Sequence, residues 1–218
     1  VDFYRSDNAI SNDYLYHNIG DSVILYTQDG KVLKQEEVSS YPCVGEDRPG
    51  LRYFRSVRTT GLNENTVVAL FSARPLNTGT SYMKMWMPAS SDVSYFTALA
   101  PGAKTASSPY QNKPSLVVTM RKEKTAVKEP FVAVYEPISD KVSAGLIESV
   151  DRVKLDPQGE EGCAIKVNTK EGDTFTLVNI LKDGPVILDN QKCCADFAIF
   201  AKQKGQSIVY VGNGSFVE

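Results

Sequence analysis

Residues 80–87 read Thr-Ser-Tyr-Met-Lys-Met-Trp-Met, and Pro88 follows. Successive side chains of an extended strand point to opposite faces, so Tyr82, Lys84 and Trp86 share one side and Met83, Met85 and Met87 the other. Three methionines at every second position fit no helical period. The methionine face is expected to be core, because the thioether chain fills irregular gaps. Pro88 lacks an amide hydrogen for a ladder and ends the strand. The opposite face carries two readings. Rings on either side of an ammonium suit an acidic saccharide, the rings stacking on sugar faces and the ammonium meeting carboxylate or sulfate. The same face suits a packed partner domain, since Trp86 is too large to leave exposed without a reason.

Outward from this strand the pattern is strand after strand. Upstream, 13–17, 22–26, 51–58 and 66–72 read as strands, with Gln28-Asp29-Gly30 as a turn whose Asp-Gly pair suits positive φ. Downstream, 92–99, 115–121 and 131–136 follow, with the Pro-, Ala-, Ser- and Gly-rich segment 100–114 as a loop and Pro137 closing the last of these. After Ser139-Asp140-Lys141 the strands become shorter and more evenly spaced: 145–154, 162–167, 174–180, 185–188, 194–201 and 207–211, with 216–217 as a short edge. Residues 145–154 are the most arguable, because Leu146, Ile147, Val150 and Val153 also approach helical spacing. The expected fold is all-β, an antiparallel β-sandwich over residues 1–140 followed by a smaller C-terminal β-domain over 141–218.

Composition narrows the function. The chain has 218 residues, enough to bury roughly 70% of its extended surface on folding. With 42% hydrophobic and 23% charged residues it is not a disordered chain. Lys plus Arg total 24 against 26 for Asp plus Glu, so no bulk basic surface for nucleic acid is expected. A single histidine, His17, excludes a polyhistidine metal site within the chain. The four cysteines, Cys43, Cys163, Cys193 and Cys194, form no Cys-x-x-Cys pair and read as free buried thiols. No apolar run approaches the roughly 20 residues of a membrane span, so no membrane insertion is expected. The opening Val1-Asp2-Phe3-Tyr4-Arg5 lacks an initiator Met and reads as part of an element, which suggests a processed product or a piece of a longer protein.

Two short stretches carry a resemblance. Val1, Asp2 and Arg5, then Asp13, Tyr14, Tyr16 and His17, resemble a segment of the heparinase II/III-like polysaccharide lyases, although Asn12 stands where that family often has His. Phe131-Val-Ala-Val-Tyr-Glu-Pro137 is similar to the same family's strand ending. More softly, the order of 84–88, 94–102 and 115–121 follows its layout, and Leu146 to Val217, opening on Ile147-x-x-Val150, resembles its small closing β-domain. The resemblance implies a secreted or periplasmic bacterial enzyme acting on glycosaminoglycan-like or other uronate polysaccharides by β-elimination. It implies an N-terminal α/α toroid, absent from this chain, that supplies the catalytic Tyr. It implies no cofactor in this fragment and leaves a divalent metal open for the parent. The chain is then the β portion, a scaffold or cleft wall inactive alone.

His17 could neutralise a uronate or shuttle a proton near neutral pH. It equally reads as a hydrogen-bonded histidine on the Leu15 side of a strand. Tyr16 is the second catalytic candidate. It shares a face with Tyr14, and among eleven tyrosines packing across a sheet is the plainer account. Tyr82, Lys84, Trp86 and Arg52 are the candidate carbohydrate contacts. Arg52 lies in a basic stretch with Arg48, Arg55 and Arg58, where alternation puts it on one face with Arg58, and guanidinium groups can hold carboxylate or sulfate bidentately. Glu136 reads as a turn anchor without chemistry. The contrasting readings are a stand-alone carbohydrate-binding module, or a structural sandwich that braces another domain and binds nothing.

Overall fold

The computed structural model describes residues 18–19, 23–40, 53–74, 81–91, 93–100, 115–122, 130–138, 145–155, 162–180, 185–188 and 191–217. In chain order the strands are β1 Asn18–Ile19, β2 Ile24–Thr27, β3 Glu36–Glu37, β4 Arg55–Leu62, β5 Val67–Arg74, β6 Ser81–Met87, β7 Val93–Ala100 and β8 Ser115–Lys122. They continue as β9 Val134–Ile138, β10 Ile147–Val153, β11 Gly162–Thr169, β12 Thr174–Ile180, β13 Val186–Leu188, β14 Gln191–Gln203 and β15 Gln206–Val217. There is no α-helix among the described residues, so the all-β expectation holds. Residues 145–155 contain β10, which resolves their ambiguous spacing in favour of a strand.

All pairings between these strands are antiparallel, and they form three sheets. One sheet runs β1-β5-β6-β9, with β2 also on β5; a second runs β3-β4-β7-β8. The third runs β10-β11-β12-β14-β13, with β15 on the other side of β14. The first two draw on strands up to Ile138, the third on strands from Ile147 onward.

Alternation in β5 and β6 makes the first sheet a middle layer. Leu25, Val67, Ala69, Phe71, Met85 and Met87 form one cluster with Val93 and Tyr95 of the second sheet. This is the methionine core read from 80–87. On the other face Val68 and Trp86 pack against Val150, Ile165 and Val167 of the third sheet. A sheet covered on both sides should carry near-continuous apolar strands, and Val67-Val-Ala-Leu-Phe71 does. Burying a side chain the size of Trp86 contributes roughly 2–3 kcal/mol. The third sheet gathers its opposite face, including Ala164, Val178, Ile180, Val186, Leu188, Cys193 and Ala198, into a separate core.

Several strands differ from expectation, and β1 and β3 have no counterpart in it. β9 runs through Pro137 to Ile138 instead of closing before it. It is the edge strand of its sheet, where a missing amide hydrogen costs no ladder bond. Residues 207–211 and 216–217 are parts of one long β15. In β4, Ser56 has φ of 51° and the register slips between Arg55 and Arg58, so simple alternation does not run through the basic stretch.

Candidate functional site

Several polar and charged side chains meet where the first sheet packs on the third. β6 and β9 pair so that Lys84 lies opposite Glu136 and Trp86 opposite Val134. In β9, Val134, Glu136 and Ile138 take alternate positions on one side of the strand, which carries the Glu136 carboxylate inward. Glu136 is only 6% exposed.

Its carboxylate is fully engaged. Trp86 Nε1 donates to Oε2 at 3.0 Å. The backbone amides of Leu146 and Ile147 both donate to Oε1, the latter at 2.8 Å. Gly145 makes the approach feasible. Its φ is 72°, and a Cβ there would overlap all three atoms of the Glu136 carboxyl group. Lys170 closes the loop, its Nζ donating to Gly145 O at 2.8 Å and its amide to Leu146 O at 3.0 Å.

Lys84 Nζ stands 5.7 Å from the Trp86 ring, within cation–π range. Burial pushes its ammonium below the usual lysine value; Glu136 opposes that shift and Lys170 adds to it. Tyr26, packed beside this cluster, is raised to about 12, first by burial and then by the Glu136 charge.

Further polar ties cross the same junction. Thr66 Oγ1 donates to Val150 O at 3.0 Å, and Val150 N donates to Gln28 Oε1 at 3.4 Å. Gln28 Nε2 donates to Asp151 Oδ1 at 3.2 Å. Both backbone groups of Val150 are therefore met by side chains from the first sheet's end of the molecule.

The candidate saccharide contacts are placed as follows. Trp86 is 4% exposed and packs on the third sheet, so its ring is not offered to a ligand. Tyr82 and Lys84 are half-buried along the same strand. Arg55 and Arg58 are exposed. His17, Tyr16, Tyr14, Arg48 and Arg52 lie outside the described residues. Among the described residues no group of three or more His, Cys, Asp or Glu side chains could hold a metal ion, and no helix is long and apolar enough to cross a membrane. Of the cysteines, Cys163, Cys193 and Cys194 are free thiols and Cys43 lies outside the described residues.

Glu136 is the residue that sequence reasoning underrated. The signal was present, because a carboxylate in the inward phase of an alternating apolar strand must find donors. Its donors, an indole 50 positions away and two amides in the next strand's approach, follow from no local spacing.

Comparison with known proteins corrects one expectation. The chain is similar to an endo-acting ulvan lyase of Formosa agariphila, 36% identical over 143 residues, which is 63% of this chain and 17% of that protein. An ulvan lyase belongs to a different lyase family from the heparinase II/III-like enzymes, so the resemblance built on residues 1–20 and 131–137 does not give the family. No family model matches the chain, and no solved structure matches it. The chain spans about one sixth of the length of the curated relative it matches.

Proposed function

We propose that this chain is the β-layered portion of a longer lyase that cleaves an acidic, uronate-containing polysaccharide, with ulvan as the first substrate to test. The observation that carries this is the 143-residue similarity to an ulvan lyase. In such an elimination a base removes the proton at C5 of the uronate, the C4–O bond breaks, a C4–C5 double bond forms and an acid protonates the departing oxygen. Glu136, the buried carboxylate, is committed to three N–H donors and braces two sheets.

The role assigned to this portion is scaffold and cleft wall, inactive alone, with the reacting groups elsewhere in the parent. Residues 1–140 and 141–218 are its two structural parts, in keeping with which strands build which sheets. Tyr82, Lys84 and Arg52 are assigned to the wall, where partial exposure of the first two allows contact with an acidic chain. A polysaccharide substrate also implies a secreted or periplasmic site of action.

The test compares the isolated chain with the protein encoded by the complete gene. Each is incubated with ulvan, alginate and polygalacturonate, and ultraviolet absorbance of the unsaturated uronate is followed. Product from the complete protein and none from the chain is the expected result. Product from the chain alone that vanishes in His17→Ala would overturn the scaffold role. No product from the complete protein on any of the three would overturn the lyase assignment.

A further inference from the structure

Two lysines from different sheets converge on the bracket around Glu136. Lys84 lies on β6 of the first sheet, and its Nζ stands 5.7 Å from the Trp86 ring. Lys170 follows β11 of the third sheet, and its Nζ donates to Gly145 O at 2.8 Å. Gly145 in turn lies against the Glu136 carboxyl group, whose Oε2 accepts from Trp86 Nε1 at 3.0 Å. One scaffold therefore locates both ammonium groups, the first beside the indole and the second beside the loop.

The place is the rim of the sheet junction. Along one side of β6 burial falls from Trp86, 4% exposed, to Lys84 and Tyr82, both half-buried. Leu70, opposite Lys84 on β5, is half-buried as well. Lys170 is exposed. The close cover given by the third sheet thus ends at Trp86, and a ligand can approach the two lysines without parting the sheets.

Charge says what fits there. Glu136 and Lys170 are the two charges that act on Lys84, the first attracting its ammonium and the second repelling it. Glu171, next to Lys170 in the turn, is exposed and does not act on Lys84. Two ammonium groups thus share one carboxylate, a net charge of two minus one, or +1, on a chain of net −2. That carboxylate is already spread over three N–H donors. An anion set between the lysines would turn their mutual repulsion into two attractions. An ammonium carries three N–H donors, so the bond to Gly145 O positions Lys170 without exhausting it.

We infer that Lys84 and Lys170 form a clamp for one anionic group of an acidic polysaccharide, a carboxylate or a sulfate ester, at the rim of the sheet junction. This inference rests on the acidic-polysaccharide function proposed above; it adds Lys170 and gives the pair a charge-recognition role.

The test is affinity electrophoresis of the 218-residue chain in gels containing ulvan, alginate (carboxylates only), dextran sulfate (sulfate esters only) or neutral dextran. Circular dichroism and urea midpoints report that each variant is folded. Retardation by at least one charged polysaccharide is expected, with none by dextran, and alginate against dextran sulfate tells which anionic group is held. Lys84→Gln and Lys170→Gln should each weaken binding about fivefold to tenfold. Because both hold one anion, the double variant should lose less than the product of the two single losses. Lys84→Arg and Lys170→Arg keep the charge and should keep most of the binding. Lys192→Gln removes the same charge at the far end of β14 and should change nothing. Undiminished binding in both folded glutamine variants would overturn the clamp and leave the lyase assignment standing. An equal loss in Lys192→Gln would reduce the effect to diffuse charge, and fully multiplicative losses would make the lysines independent; either overturns the clamp. No retardation by any charged polysaccharide overturns it too, while the elimination assay on the complete protein judges the lyase assignment separately.

Discussion

The indole nitrogen of Trp86 donates to Glu136 Oε2 at 3.0 Å, although the two residues lie 50 positions apart. They sit on adjacent antiparallel strands of the middle sheet, and the carboxylate reaches onward to the amides of Leu146 and Ile147 at the start of the third. One side chain thus ties three segments together. Replacing Glu136 with Leu leaves three N–H donors without their acceptor, and the loss should be about 3 kcal/mol or more. Trp86→Phe removes a single donor and should cost about 1–2 kcal/mol. Urea unfolding followed by circular dichroism measures both, and the double variant should show a coupling of about 1 kcal/mol. Additive losses would mean that the bond contributes nothing of its own.

Gly145→Ala should be far more damaging than the same change at Gly30 or Gly172. All three have positive φ, but an added Cβ meets nothing within 4 Å at Gly30 or Gly172 and strikes the Glu136 carboxyl group at Gly145. The two open turns should lose about 1 kcal/mol each. Gly145→Ala should lose at least about twice that, because it displaces the carboxylate from its donors. Denaturation midpoints of the three variants, measured side by side, check this ordering.

Alkaline stability should fall between about pH 10 and about pH 12. Tyr95 is fully buried in the core between the first two sheets, and burial raises its hydroxyl to about 12, with Arg152 pulling the other way. Tyr26 is raised to about 12 by burial and then by Glu136. The folded state therefore holds protons that the unfolded chain releases near pH 10. Stability is complete below the unfolded value and is lost as pH climbs through the folded one. Tyr95 contributes on the order of 2 kcal/mol to that fall, and half-buried Tyr26 less because solvent screens it. Tyr95→Phe should flatten the profile, measured as melting temperature against pH.

Cys163 and Cys193 should be slow to alkylate in the native protein. Burial raises Cys163, with Arg152 opposing, and raises Cys193, where neighbouring Cys194 adds to the effect and the Ala195 amide opposes. Thiolate is the reactive form, so iodoacetamide at neutral pH should leave Cys193 intact until denaturant is added. Peptide mapping by mass spectrometry reads this out residue by residue.

Much of the fold was legible. Strict alternation at 80–87 and the apolar run at 67–71 are local signals, and local signals suffice for a strand. The third layer was harder. Residues 80–87 offered two faces, and nothing nearby told whether Tyr82, Lys84 and Trp86 faced solvent or another sheet; the partners Val150, Ile165 and Val167 arrive more than sixty residues later. β15 was read as two short pieces, 207–211 and 216–217, and Gly212 and Gly214 interrupt the alternation between them. Phe197 opposite Gly212 supplies across the hairpin the packing that glycine lacks, and no scan along one strand can register that. Glu136 was read only as a turn anchor, and two of its three partners are backbone amides, which carry no sequence signature.

Both faces of the middle sheet carry buried core residues. Separating the piece before Ile138 from the piece after Ile147 would strip Val68 and Trp86 bare on one fragment and Val150, Ile165 and Val167 on the other. Each half would then be sticky and prone to aggregate. Gene rearrangement that copies one half into a new setting is expected to expose this shared core, and copying both keeps it covered. The three layers are expected to be inherited as a single cassette.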